Sequence, residues 1–216
     1  MNIMHMTNEA RILTGIVVVT IAIVIGAVFF LSQPEKPIIV DPANLVKEDS
    51  LKISTDSAKL TIVEFGDFQC PACKAAHPGL KQALADFPGQ VNFVFRHYPL
   101  PMHANAQPAA KAVEAANRQG KVWEMYDKLF DAQEDWGNTS NPTDKFKQYA
   151  AELGMDSEKL VADMNDSAIQ DKINNDIADG NASGVNSTPT LYFNNEVYKK
   201  GFGYADFKAE IEARLK

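Results

Sequence analysis

Cysteine is almost missing from this chain: 216 residues contain two, Cys70 and Cys73. A closed structural zinc site needs four ligands, and no second cysteine pair exists to supply the other half. Histidines 77, 97 and 103 could in principle complete a mixed set, but nothing in their spacing fixes a fourth ligand. A surplus of positive charge is also lacking. Lys and Arg total 21 against 28 Asp and Glu, a formal net charge of -7, so nucleic acid is excluded as the main partner, because phosphate binding needs the opposite balance. Internal repeats and low-complexity tracts are absent too. What remains, with 45% hydrophobic and 23% charged residues, is the composition of a folded domain of ordinary size plus something short.

The short part is an apolar run. From Ile12 to Leu31 no residue carries a charge, and the only polar side chains are Thr14 and Thr20. A helix of that length spans the ~30 Å hydrocarbon layer. A cleaved signal peptide has a shorter apolar region that ends in small residues, whereas this one ends in Phe29, Phe30 and Leu31. The expectation is an uncleaved single-pass anchor over 12–31, with residues 1–11 on the cytoplasmic side. Arg11 and Lys36 flank the run, each with a glutamate nearby, so the positive-inside rule gives little direction. An extracytoplasmic domain is the commoner arrangement for such a layout. Residues 32–44, with three prolines and no sustained period, read as a linker to a domain over 45–216.

Within that domain, KLTIVEF at 59–65 reads as a buried strand, residues 70–87 as a helix, and QVNFVFRHYPL as a second strand with Asn92 and Arg96 alternating against Val91, Phe93 and Phe95. Strand, helix, strand implies a right-handed crossover with parallel pairing. Residues from about 104 to 182 carry helical spacing throughout, with Pro142 opening one helix and Gly154 closing it. TPTLYFNNEVYKKG then reads as a hairpin turned at Asn194-Asn195, and a last helix aligns Phe207, Ile211 and Leu215. The fold class is α/β: a thioredoxin fold with an inserted helical subdomain, preceded by one transmembrane helix.

The two cysteines form C-x-x-C at the start of the first helix of the domain. There the first sulfur meets free N–H groups and the helix dipole, which lower a thiol pKa and favour the thiolate. The second sulfur can close on the first or resolve a mixed disulfide. Cys70 is therefore the expected nucleophile and Cys73 the resolving thiol. Pro71 suits the first helical position, where its missing N–H costs nothing. Haem attachment would need histidine at position 74, which is Lys. A purely structural bridge closing so short a loop would remove little unfolded-state entropy.

These residues resemble the DsbA-like thiol–disulfide oxidoreductases of the thioredoxin superfamily, and RHYPL followed by an Ala-rich helix is similar to their membrane-anchored branch. The likeness runs from about Leu45 to Lys216 and rests on TIVEFGDFQCPACKAAHP together with GVNSTPTLYFNN. It implies a cis peptide bond at Thr188-Pro189 beside the cysteines, a helix proline at Pro78, and a buried acid at Glu64 that relays the proton of Cys73. Pro189, lacking an N–H, would let a substrate strand approach, with the backbone of Thr188 available to pair with it. It further implies disulfide formation in exported proteins carrying free thiols, no bound cofactor, and re-oxidation by a quinone-linked membrane partner. The dipeptide between the cysteines departs from strongly oxidising members, which have histidine there: Pro71-Ala72 adds no cation to help the thiolate, so a milder oxidant is expected. A reductase or isomerase on the same fold, a metal-binding module and a tethered chaperone are the alternatives.

Overall fold

The computed structural model describes residues 8–31 and 38–216; the expected cytoplasmic residues 1–7 and linker residues 32–37 lie outside the described residues. Two compact units are present, 1–37 and 38–216. The first holds α1 (Asn8–Leu31), whose stretch Ile12–Phe29 is long and apolar enough to cross a membrane.

In the second unit a mixed five-stranded sheet is ordered β1-β3-β2-β4-β5, from β1 (Leu51–Ile53), β2 (Leu60–Gly66), β3 (Val91–His97), β4 (Thr190–Phe193) and β5 (Glu196–Val197). β2 and β3 pair in parallel, joined by α2 (Pro71–Ala85), and β4 lies antiparallel on the other side of β2. The hairpin turns at Asn194, which takes a positive φ of 57°, a conformation asparagine tolerates. Between β3 and β4 stand α3 (Ala106–Asn117), α4 (Val122–Asp131), α5 (Gln133–Trp136), α6 (Pro142–Glu152), α7 (Ser157–Met164) and α8 (Ser167–Ala182). α9 (Tyr204–Leu215) ends the chain and packs on α2.

β2 is central, so both its faces are covered and its sequence is mainly apolar, with Glu64 as its one ionisable residue. One face, with Ile62, Phe93, Phe95, Leu191 and Phe193, meets α2, α4 and α9 in the larger core. The other, with Val63, Phe65, Val94 and Tyr192, packs against Leu45 and Val185.

Three sequence expectations change. Arg96 is not a solvent-facing strand residue: it lies on the second face, fully buried, paired with Asp176 at 2.7 Å and Asp179 at 2.6 Å from α8. The paired carboxylates are what make a buried guanidinium tolerable. β1 carries no alternating pattern long enough to register in the sequence; it exists because β3 offers it an edge. Residues 38–40, within the stretch read as the end of the linker, pair with the β4–β5 hairpin, where Ile38 accepts from the Val197 amide at 3.0 Å and the Val40 amide donates to Asn195 at 2.9 Å.

Candidate active site

β2 ends at Gly66, and the turn Asp67–Gln69 delivers the chain to α2. Cys70 is the N-cap of that helix and Pro71 its first residue. The cap position leaves the first amides of α2 without intrahelical acceptors, so they are free to face a sulfur anion. Pro71 and Ala72 are exposed, whereas Cys70 keeps only 6% of its surface and Cys73 none. Both are free thiols. From the other side the loop before β4 brings Thr188 and the cis-bonded Pro189; the Cys70 thiol donates to the Thr188 carbonyl at 3.3 Å. Cys70, Cys73, Thr188, Pro189, Pro71 and Ala72 thus meet at one end of the sheet.

The two sulfurs are chemically unequal. The Cys73 thiol donates to the Cys70 sulfur and holds its pKa down to about 5, against the opposing effect of burial. The buried Thr188 side chain and the amides of Cys73 and Ala72 lower it further. Ionisation replaces the Sγ–H bond to the Thr188 carbonyl with these donors. Burial drives the other way at Cys73, whose pKa stands well above the ordinary thiol range, with its donation to Cys70 and the nearby Glu64 charge adding to the rise.

Glu64 sits in the middle of β2 with 2% of its surface exposed. Its burial pushes its pKa up to about 8, a donor from Tyr126 partly offsets this, and the Cys70 charge adds to it. A carboxyl that changes protonation near neutral pH is suited to taking or giving a proton.

Several residues at the site are not apparent from sequence spacing. Tyr126, on α4, donates to Glu64 at 3.3 Å. Asp67 is buried and ties three pieces of chain together: its carboxylate accepts from the amides of Gln69 at 2.7 Å and Leu100 at 2.8 Å, and meets His103 Nδ1 at 2.7 Å. Gln133, from α5, donates to the carbonyls of Phe68 and Cys70. Of the other histidines, His77 is buried, stacks on Phe130 and meets Asp127 at 3.2 Å, and His97 is buried against Glu114 at 2.8 Å. Neither lies on the surface. Among the described residues no group of three or more His, Cys, Asp or Glu side chains is placed to hold a metal ion. Trp123 lines a mainly apolar cleft of about 300 Å³ between α2, α4 and the β1–β3 edge, while Met125 and Trp136 are core.

A parallel βαβ unit and an antiparallel ββα unit around one sheet, with a cysteine pair at the helix mouth and a cis-proline opposite, define a thioredoxin-fold protein. A family model described as Thioredoxin matches residues 47–213, and the chain belongs to that family. Its fold is similar to that of BdbD from Bacillus subtilis, at 24% identity and a TM-score of 0.71, covering 84% of this chain and 99% of that one. It is also similar to the thiol-disulfide exchange protein alpha-DsbA2 from Wolbachia pipientis, at 20% identity and a TM-score of 0.67, covering 79% and 88%. In sequence it is 36% identical over 161 residues to a Na(+)/H(+) antiporter NhaA 1 of Mycolicibacterium vanbaalenii, covering 72% of this chain and 25% of the relative. The chain therefore spans about a quarter of the length of that relative.

Proposed function

We propose that this chain is a protein thiol–disulfide oxidoreductase, tethered by α1, that donates disulfides to exported proteins. The observation that carries the reading is the inequality of the two sulfurs: Cys70 is acidic enough to be a thiolate at neutral pH, and Cys73 is not. A low-pKa sulfur is the better leaving group and the stable product when a disulfide is given away.

In the working cycle the Cys70–Cys73 bridge is the oxidant. A substrate thiolate attacks the Cys70 sulfur, the bridge breaks, and Cys73 leaves as a thiolate that takes a proton from Glu64. A second substrate thiolate, its proton lost to solvent, then attacks the substrate sulfur of the mixed disulfide, and Cys70 departs as a thiolate. The substrate loses two electrons and gains a disulfide; the enzyme ends with Cys70 a thiolate and Cys73 a thiol, and Glu64 regains its proton from solvent. Thr188 and Pro189 border the attacked sulfur, and the backbone of Thr188 offers an extended client a hydrogen-bonding partner. The cycle uses no bound cofactor. On this reading re-oxidation falls to a quinone-linked membrane oxidase on the extracytoplasmic side, and the apolar stretch Ile12–Phe29 supports the tether to that membrane.

The antiporter relative does not extend ion transport to this chain, because the match covers a quarter of that protein and the described residues contain one helix able to cross a membrane. A reductase or isomerase would use the same residues in the opposite direction, and a measured potential separates them: near ~ -120 mV for a donor, near ~ -270 mV for a reductase. The test of the cycle is a Cys73→Ala variant expressed in cells, which should accumulate mixed disulfides at Cys70 with exported proteins. If none accumulates, the donor reading fails.

A further inference from the structure

The turn that carries the nucleophile is short of local support. Inside it, the Cys70 amide donates to the Asp67 carbonyl at 3.1 Å and the Gln69 amide to Oδ1 of Asp67 at 2.7 Å. The carbonyls of Phe68 and Cys70 receive donors from elsewhere. Gln133 Nε2 reaches both, at 2.7 Å and 3.1 Å.

Gln133 itself stands on a fixed base. It opens the four-residue helix α5, whose end is so tight that a Cβ on Gly137 would lie 2.7 Å from the Gln133 carbonyl. Trp136 is fully buried, and its indole donates to the Leu129 carbonyl at 2.9 Å. Asn105, also buried, donates through one nitrogen to the carbonyls of Trp136, Gly137 and Thr139. The grip is reciprocal: Gln69 Nε2 donates to the Gly137 carbonyl at 2.6 Å and its oxygen accepts the Asn105 amide at 2.7 Å.

We infer that Gln133 is a positioning residue through which the helical insertion aims the Cys70 sulfur, an inference that rests on the oxidoreductase reading above. A primary amide is suited to the task. It brings two N–H groups on one nitrogen and no charge, so it satisfies two buried carbonyls without adding a field at the sulfur. The Cys70 carbonyl also accepts the Lys74 amide at 3.1 Å, the first bond of α2. Fixing that carbonyl fixes the first peptide planes of the helix, and with them the direction in which the Ala72 and Cys73 amides meet Sγ. Without Gln133 those planes can tilt, the donors lose alignment, and bonds weaken steeply with angle. Cys70 then becomes less acidic. Cys73, packed in the core on the far side, keeps its surroundings.

The experiment uses the full-length reduced protein and its Gln133→Met variant, which keeps side-chain length and removes the donors. Alkylation at Cys70 is followed by mass spectrometry across pH. The variant's midpoint should rise by about half to one pH unit, which slows the reaction at pH 5 by about two- to fivefold. An unchanged midpoint in a folded variant overturns the inference and leaves Gln133 as a core donor only. If the variant does not fold, the wild-type protein decides: the side-chain amide resonances of Gln133 should titrate with the midpoint of Cys70, and resonances indifferent to Cys70 ionisation overturn the inference. Failure of the parent reading looks different, since the wild-type protein would then alkylate like an ordinary thiol and oxidise no reduced client.

Discussion

Tyr126 on α4 donates its phenolic proton to Oε2 of Glu64 at 3.3 Å, inside a cage of Phe68, Phe95, Phe130 and His77 rings. A donor to a carboxylate favours its charged form. Tyr126→Phe keeps the ring packing and removes the donor, so the Glu64 midpoint should move above its present value of about 8, by about half to one pH unit. Carboxyl infrared absorption of the reduced protein, titrated with pH, reads this directly. An unmoved band would limit Tyr126 to packing.

Glu64 also gives a signed pH dependence of stability. Its folded pKa is raised from 4.5 to about 8, so the folded protein holds a proton that the unfolded chain has released. The cost of Glu64 is therefore absent below pH 4.5, grows as pH rises, and is complete above about 8. In Glu64→Gln that cost disappears. The stability difference, variant minus wild type, should climb across this window, by at most about 5 kcal/mol at its end, since a tenfold change in proton affinity is worth about 1.4 kcal/mol. Denaturant melts of the reduced proteins at pH 4.5, 6 and 8 check the slope. A flat difference would mean that Glu64 titrates like an exposed acid.

At Cys70 the sign reverses. With a pKa of about 5, the thiolate is the main form from pH 6 upward, and alkylation at this sulfur should be nearly constant between pH 6 and 8 and fall as pH drops through 5. Cys73, buried and held protonated, should react more slowly at every pH in that range. Peptide mapping after timed alkylation separates the two. Equal rates at the two positions would remove the basis for assigning their roles.

The parts legible in the sequence were those with a local cause. β2 and β3 follow from short β-rich apolar stretches, α2 from its apolar stripe and Pro71 start, and the hairpin from Asn194-Asn195. The acidity of Cys70 is visible as a position, the mouth of a helix. The illegible parts depend on distant partners. Arg96 alternates with Phe95 and so reads as outward, until α8 supplies Asp176 and Asp179 some eighty residues later. Gln133 and Tyr126 sit in the helical insertion, where a polar group on an amphipathic helix has no pattern that distinguishes a core donor from a solvent one. β1 is three residues long, too short to carry a period.

Arg96 supplies the remaining prediction. Its guanidinium meets Asp176 and Asp179 and also donates from Nη1 to the carbonyls of Asn44 at 3.2 Å and Leu45 at 3.0 Å. It therefore joins β3, α8 and the segment through which the chain enters the domain. Asp176 has other partners, the His97 amide at 2.9 Å and Lys172 at 3.2 Å, but Lys172 is shared with Glu114 at 3.1 Å and offsets the lost guanidinium only in part. Arg96→Met should cost ~3–5 kcal/mol, the range for breaking one side of a buried ion pair. In a domain of this size that lowers the melting temperature by roughly 10 °C or more. Arg96→Met combined with Asp176→Leu removes both charges and should recover part of the loss, because no uncompensated carboxylate is left in the core. The alkylation profile of Cys70 should stay as in the wild type in both variants at temperatures where they are folded, since the pair lies on the second face of the sheet. A single variant that melts within about 2 °C of the wild type would show that the buried pair contributes little to holding α8 on β3.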